Sequence, residues 1–129
     1  MIAVDTNIIV RFLTHDDEQQ YKKSYAIFKT KEVFIPDTVI LETEWVLRYA
    51  YEFSPKVICN ALINLFGLKS VHLSNPTLIS QAIDWHLKGL DFSDALHLAQ
   101  CQQHEKLYTF DKNFCAKAKK LSTCLVSSP

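Results

Sequence analysis

Apolar positions along this chain fall into two patterns, short continuous runs and longer stretches spaced at i, i+3, i+4 and i+7. Ile2-Ala3-Val4 is the first run and reads as a short buried strand that stops at Asp5. Ile8-Ile9-Val10 and Phe12-Leu13 then predict a helix from about Thr6 to Leu13. Thr14-His15-Asp16-Asp17 breaks that pattern and offers caps for a second helix, with Tyr21, Tyr25 and Phe28 on its inner stripe. Val33-Phe34-Ile35 predicts a second strand, closed by Pro36. Asp37 opens a long helix expected over Thr38 to about Phe53, apolar around most of its circumference. Ser54-Pro55 is an N-cap followed by proline at the first helical position, and Gly67 stands where a C-terminal glycine belongs. Val71-His72-Leu73 is a third strand, and Asn75-Pro76 repeats the cap signal before a helix that runs to Gly89. A helix beginning at Asp91-Phe92-Ser93-Asp94, a strand at Leu107 to Phe110, a last helix after Asp111 and a strand at Cys124 to Val126 complete the chain.

Strands separated by helices imply crossover connections. The expected fold class is therefore α/β, a three-layer α/β/α arrangement with a central parallel sheet of about five short strands. At 129 residues, with no linker, repeat or low-complexity segment, residues 1–129 are expected to form a single domain. Hydrophobic residues make up 48% and charged residues 22%, which excludes a disordered tail. Lys plus Arg and Asp plus Glu each count 14, so there is no global drive toward nucleic acid or membrane. If four acids held divalent cations, ten acids would face 14 basic residues, a balance of +4 able to attract phosphate.

Cys59, Cys101, Cys115 and Cys124 form no C-x-x-C pair, and Cys59 and Cys101 are expected as buried free thiols on apolar helix faces. Cys101 and His104 have i,i+3 spacing but no second ligand pair, which argues against zinc. The N-terminus lacks a basic n-region and apolar h-region, and no apolar stretch nears the ~20 residues that span a bilayer. The expected location is the cytoplasm.

The candidate chemistry lies in the carboxylates. Asp5 ends the first strand, at the sheet edge where ligands bind in open α/β folds, although an aspartate there also caps the next helix. Glu42 has Thr38, Val39, Trp45 and Val46 at i±3 and i±4, so its face looks apolar and offers no basic partner. Burying such a carboxylate costs several kcal/mol unless it is paired, protonated or bound to a metal, which marks Glu42 as a candidate site residue, an edge-of-core glutamate being the alternative. Glu44, with Arg48 four residues on, is read as half of a solvated ion pair. Asp91 and Asp94 fit a capping box, with Ser93 an equally suitable cap, and Asp111 follows a strand and precedes a helix. In a parallel sheet all C-terminal strand ends share one edge, so Asp5 and Asp111 would meet if their strands are neighbours. A cluster of carboxylates repels itself unless hard cations intervene, and an all-oxygen donor set suits Mg²⁺ or Mn²⁺.

The order Asp5-Thr6-Asn7, Leu41 to Leu47 (LETEWVL), Asp91 to Ala99 (DFSDALHLA) and Thr109-Phe110-Asp111 resembles the PIN-domain ribonucleases, and within them the VapC-type toxins of bacterial toxin–antitoxin pairs. The resemblance covers essentially the whole chain. It implies a parallel sheet ordered 3-2-1-4-5. It implies metal-binding acids at Asp5, Glu42, Asp94 and Asp111, an accessory acid or cap at Asp91, and polar supports at Asn7 and Thr109. The activity implied is Mg²⁺- or Mn²⁺-dependent hydrolysis of RNA phosphodiesters, leaving 5′-phosphate and 3′-hydroxyl ends. It also implies a homodimer, a VapB-like antitoxin as partner, and structured RNA such as tRNA as substrate.

Arg11, one helical turn beyond Asn7, and Lys112, beside Asp111, are the candidate phosphate contacts, with Lys117, Lys119 and Lys120 as an extension of the same strip or simply a solvated helix face. His97, at i+3 from Asp94, is read as a helix-face histidine. Two alternatives stand beside this reading. One is a haloacid-dehalogenase-like phosphatase using Asp5 as nucleophile; that class carries a second acid two residues on, where this chain has Asn7. The other is a non-catalytic binding module whose acidic pocket receives a partner's arginine. The absence of a G-x-S-x-G turn argues against a serine triad.

Overall fold

In a computed structural model, residues 1–121 and 124–129 are described, and the chain divides into two compact units, Met1–Pro76 and Thr77–Pro129. The first unit contains β1 (Ile2–Ala3), α1 (Thr6–Thr14), α2 (Glu18–Thr30), β2 (Val33–Phe34), α3 (Asp37–Tyr49), α4 (Pro55–Phe66) and β3 (Val71–His72). α5 (Pro76–Leu87) starts at the join, and α6 (Phe92–Gln100), β4 (Lys106–Tyr108), α7 (Lys112–Ala118) and β5 (Leu125–Ser127) follow.

The architecture is α/β with parallel strands flanked by helices. β2 pairs with β1 (Ile2↔Val33, Ala3↔Phe34) and with β3 (Val33↔Val71, Phe34↔His72). β4 pairs with β5 over Lys106↔Leu125 to Tyr108↔Ser127. The five expected strands are present and parallel, but they form two ladders, ordered β1-β2-β3 and β4-β5, rather than one sheet. With two or three residues each, the strands carry few ladder bonds. Single flanking bonds extend them: Val4 N–H to the Phe34 carbonyl at 3.3 Å, Ile35 N–H to that of His72 at 3.0 Å, and Thr109 N–H to that of Ser127 at 3.0 Å.

The caps explain why helices begin where they do. Ser54 Oγ accepts from Val57 N–H with Pro55 in the first turn, and Asp17 accepts from Gln20 N–H. Gly89, with φ +110, turns the chain after α5, a conformation that other residues rarely adopt. Gly67 ends α4 at φ −78, so its position matches expectation while its conformational freedom goes unused. α1 and α2 pack through a ring cluster in which Phe12 lies 4.6 Å from Phe28 and 6.2 Å from Tyr21 between centroids.

A hydrogen-bonded clip closes the other side of this pair. Arg11 Nη1 reaches both Asp16 oxygens (3.2 and 3.3 Å) and Tyr51 Oη (3.0 Å), while its Nε reaches Gln20 Oε1 at 2.6 Å. Tyr51 in turn donates to Asp16 at 2.6 Å, holding that carboxyl below its usual pKa.

α3 departs most from the expected pattern. It ends at Tyr49 rather than near Phe53, it starts at Asp37 behind Pro36, and its phase is set by Ile40, Thr43, Glu44 and Leu47, all buried. Glu44, expected in solvent, is 1% exposed. Glu42, expected on an apolar face, is exposed together with its neighbours Trp45 (54%) and Tyr49 (59%). The reason is that Arg48 forms a two-point pair with Glu44, Nε to Oε2 at 2.8 Å and Nη2 to Oε1 at 3.1 Å, which makes burial of that carboxylate tolerable. The Arg48 guanidinium also lies 4.6 Å from the Tyr49 ring centre.

Cys59 is fully buried, and burial together with the Glu44 carboxylate pushes its thiol up to about 11, so it stays protonated and inert. Cys101 is half-buried rather than buried, because α6 stops at Gln100 and leaves it as the C-cap. No helix among the described residues is long and apolar enough to cross a membrane.

The Glu44–Arg48 pair gives a stability prediction. Arg48→Met keeps the stem packing but leaves a buried carboxylate without its guanidinium, and is expected to cost about 3 kcal/mol in urea unfolding. Glu44→Gln, which removes the charge itself, is expected to cost clearly less.

Candidate functional site

In the first unit the site grows from the end of β1. Val4 is buried and bonded to β2, which fixes the strand tip, and Asp5 follows as the exposed N-cap of α1 with φ −93 and ψ 168. Thr6, 3% exposed, ties Asp5 to α3. Its backbone N–H donates to Asp5 Oδ1 and its hydroxyl donates to Glu42 Oε1. A residue 36 positions from Glu42 thus holds two sequence-predicted acids in one constellation. Each carboxylate offers about four lone-pair positions, and the Thr6 contacts use one on each. Both acids therefore keep oxygen capacity for a further partner. Asn7 is exposed in the first turn of α1.

Thr6 is the residue that sequence reasoning missed. It sits inside the Asp5-Thr6-Asn7 motif, but its partner on α3 carries no local sequence signal.

The second unit gathers Asp91, Asp94 and Asp111. Asp91 caps α6: its Oδ2 accepts from Asp94 N–H at 3.3 Å and from Ser93 Oγ at 2.6 Å, so the cap is Asp91 and Ser93 supports it. Asp111 caps α7, accepting from Phe114 N–H at 3.1 Å, while its own N–H donates to Thr109 Oγ1 at 3.1 Å. β4 ends at Tyr108, two residues before the expected Phe110, and Phe110 is 84% exposed. Asp94 is the half-buried member. Burial raises its pKa first, and the negative charges of Asp91 and Asp111 raise it further, against opposing contributions from His97 and Lys117. The Asp91 and Asp111 carboxylates thus act on Asp94 through space, at a separation too wide for the three to form a ready-made metal cage.

Lys117 reaches the Gly89 carbonyl at 3.1 Å, and Lys112 is exposed at the first position of α7. Arg11 belongs to the clip with Asp16, Gln20 and Tyr51. Among the described residues, no group of three or more His, Cys, Asp or Glu side chains stands close enough together to hold a metal ion. Chemically, the donors on each unit are carboxylates and hydroxyls, the hard oxygen set that suits Mg²⁺ or Mn²⁺ and not zinc.

The structure is an α/β fold with carboxylates capping helix starts at Asp5, Asp91 and Asp111 and a further exposed carboxylate, Glu42, held by a buried threonine hydroxyl. The PIN domain family model matches residues 2–120, and the chain belongs to the PIN-domain family. Its fold also aligns with the crystal structure of Mycobacterium tuberculosis VapC20, a Sarcin-Ricin loop cleaving toxin, at 22% identity and a TM-score of 0.43, covering 90% of this chain and 94% of that one. No curated protein matches the chain.

The raised pKa of Asp94 fixes the sign of a pH effect. Between the ordinary aspartate value, about 3.9, and the raised native value, the folded state binds more protons than the unfolded one, so stability falls as pH rises through that window. Asp94→Asn, free of metal, is therefore expected to raise Tm at pH 7 by on the order of 2 °C, with the gain disappearing below pH ~3.9. Paired thermal melts across that range check it; a Tm gain independent of pH would contradict the electrostatic origin.

Proposed function

We propose that this protein is a metal-dependent endoribonuclease acting as the toxin of a toxin–antitoxin pair. The observation that carries the chemistry is the Thr6 bridge, which holds Asp5 and Glu42 as exposed oxygen donors in a member of the PIN-domain family. Asp5, Glu42, Asp94 and Asp111 are the residues proposed to hold Mg²⁺ or Mn²⁺, and the repulsion around Asp94 is what a cation there would relieve. When bound, such a cation lowers the pKa of a coordinated water and offsets charge on the scissile phosphate.

The chain's own residues do the rest. Thr6 orients Asp5 and Glu42, Asp91 and Thr109 fix the backbone of Asp94 and Asp111, and Asn7 supplies a polar group beside Asp5. Lys112 contacts RNA phosphate next to Asp111. Arg11, its guanidinium already engaged by Asp16, Tyr51 and Gln20, enters as a brace for α1 rather than as a first contact with RNA.

The resemblance to VapC-type toxins carries the remaining proposals: structured RNA such as tRNA as substrate, a VapB-like antitoxin as partner, a homodimer, and action in the cytoplasm over the single domain 1–129.

Two measurements test the reading. Pure protein with Mn²⁺ is expected to cleave RNA, with activity abolished by chelator and reduced by about 100-fold or more in Asp5→Asn and Asp94→Asn, as befits loss of a metal ligand. Mn²⁺ is also expected to raise the Tm of the wild type and not of either variant. Full activity in a folded Asp5→Asn protein would overturn the proposed site.

A further inference from the structure

The second unit carries a cleft of about 280 Å³ lined by Lys88, Ala116, Lys117, Lys120 and Leu121. Three of its five lining residues are lysines, contributed by two separate segments. Lys88 follows α5, and its N–H remains bonded to the Asp84 carbonyl at 3.1 Å. Lys117 lies in the last turn of α7 and Lys120 in the turn that follows it, joined by Lys120 N–H to the Lys117 carbonyl at 3.4 Å and Leu121 N–H to that of Ala118 at 3.0 Å.

Lysines are favoured at helix C-termini for the dipole alone, so the ammonium groups need a closer look. Lys117 spends one of its three donors on the Gly89 carbonyl, which pins the ammonium and leaves two donors. Lys88 pairs with Asp84 at 3.0 Å, but both groups are more than half exposed, and such an i,i+4 pair is easily exchanged for a stronger anion. Three full positive charges outweigh Asp84 together with two helix ends worth roughly half a negative charge each. A net positive cleft over an Ala116 and Leu121 floor suits a phosphate with an attached sugar, and the volume is near the lower end for a small-ligand site.

We propose that Lys88, Lys117 and Lys120 bind one backbone phosphodiester of the RNA, with its ribose against Ala116 and Leu121. The site rests on the nuclease reading above and extends it. Lys117 and Lys120 follow Asp111, the cap of α7, by six and nine residues, so a phosphate held there lies on the same helical segment that Asp111 begins. Recognition of this kind positions the strand without reading its bases.

The test is binding of a fluorescent single-stranded RNA oligonucleotide by anisotropy, in chelator so that no cleavage occurs, over a KCl series. Lys117→Ala and Lys120→Ala are each expected to weaken binding about 3- to 10-fold regardless of sequence, and to reduce the slope of log K against log[KCl] by about 0.7 per lysine. Lys120→Ala keeps the test valid if loss of the Gly89 contact unsettles Lys117→Ala. Lys23→Ala, an exposed change on α2, is the control with no expected effect. A folded double variant with wild-type affinity and slope overturns the proposal. So does a double variant that loses only competition by inorganic phosphate, since that marks a free-anion site. Lysine-dependent binding without any Mn²⁺-dependent cleavage would sink the nuclease reading and leave the cleft standing. Cleavage with unchanged salt slopes would do the reverse.

Discussion

Exposed negative charge at helix starts is the constraint on which the candidate residues of each unit depend, and the helix N-termini are the means by which each unit tolerates it. Asp5, Asp91 and Asp111 are each the N-cap of a helix, and each accepts from a backbone N–H that would otherwise lack a partner. Capping and the helix dipole stabilise such a carboxylate by about 1 kcal/mol. Two like charges 5 Å apart at an effective dielectric of 20 repel by about 3 kcal/mol, so caps lessen the repulsion without removing it. Asp94 shows the remainder. It lies within the first turn of α6 instead of at its cap, it is partly buried, and its pKa is raised. The fold thus holds a carboxylate whose charge its neighbours His97 and Lys117 offset only in part, the electrostatic condition that a divalent cation would relieve.

The buried pair on α3 solves a different problem by different means. Glu44 is removed from water almost completely, where no cation from solvent can reach it, and the two-point bond from Arg48 compensates it within one helical turn. The neighbouring Glu42 is left in water and bonded only through Thr6 Oγ1, an arrangement that orients the carboxylate without neutralising it. Two glutamates two residues apart therefore have opposite roles, one holding the helix in phase and the other presented outward. Burial first, and the Glu44 carboxylate second, keep the neighbouring Cys59 thiol protonated.

This inversion shows what was legible in the sequence and what was not. Helix starts were legible because they are local: Ser54, Asp91 and Asp111 each bond to the amide three residues on. Parallel pairing followed from strands alternating with helices. The face assignment on α3 failed because apolarity was used as a proxy for burial, whereas Trp45 and Tyr49 are exposed and a polar Thr43-Glu44 pair is interior. An i,i+4 Glu–Arg spacing is the same on a wet face and a dry one, so the phase had to come from Ile40 and Leu47. Thr6 was invisible for another reason. Its bond to Glu42 spans 36 residues and exists only once α1 packs on α3. The Arg11 clip has the same origin, since Tyr51 comes from 40 residues away.

A chain of zero formal charge can still hold a polyanion if its charges are segregated on the scale that salt permits. At physiological ionic strength the screening length is about 8 Å, so the total matters less than the charges within one or two side chains of the ligand. Here Asp91 and Asp94 stand at the start of α6 and Asp111 at the start of α7, while Lys117 lies in the last turn of α7 and Lys120 just beyond it. One short helix therefore runs from an acidic end to a basic one, and each end is favourable for its dipole. Such an arrangement suits the proposed division of labour, a phosphate at the lysines and a cation at the carboxylates, with Lys112 at the junction between them.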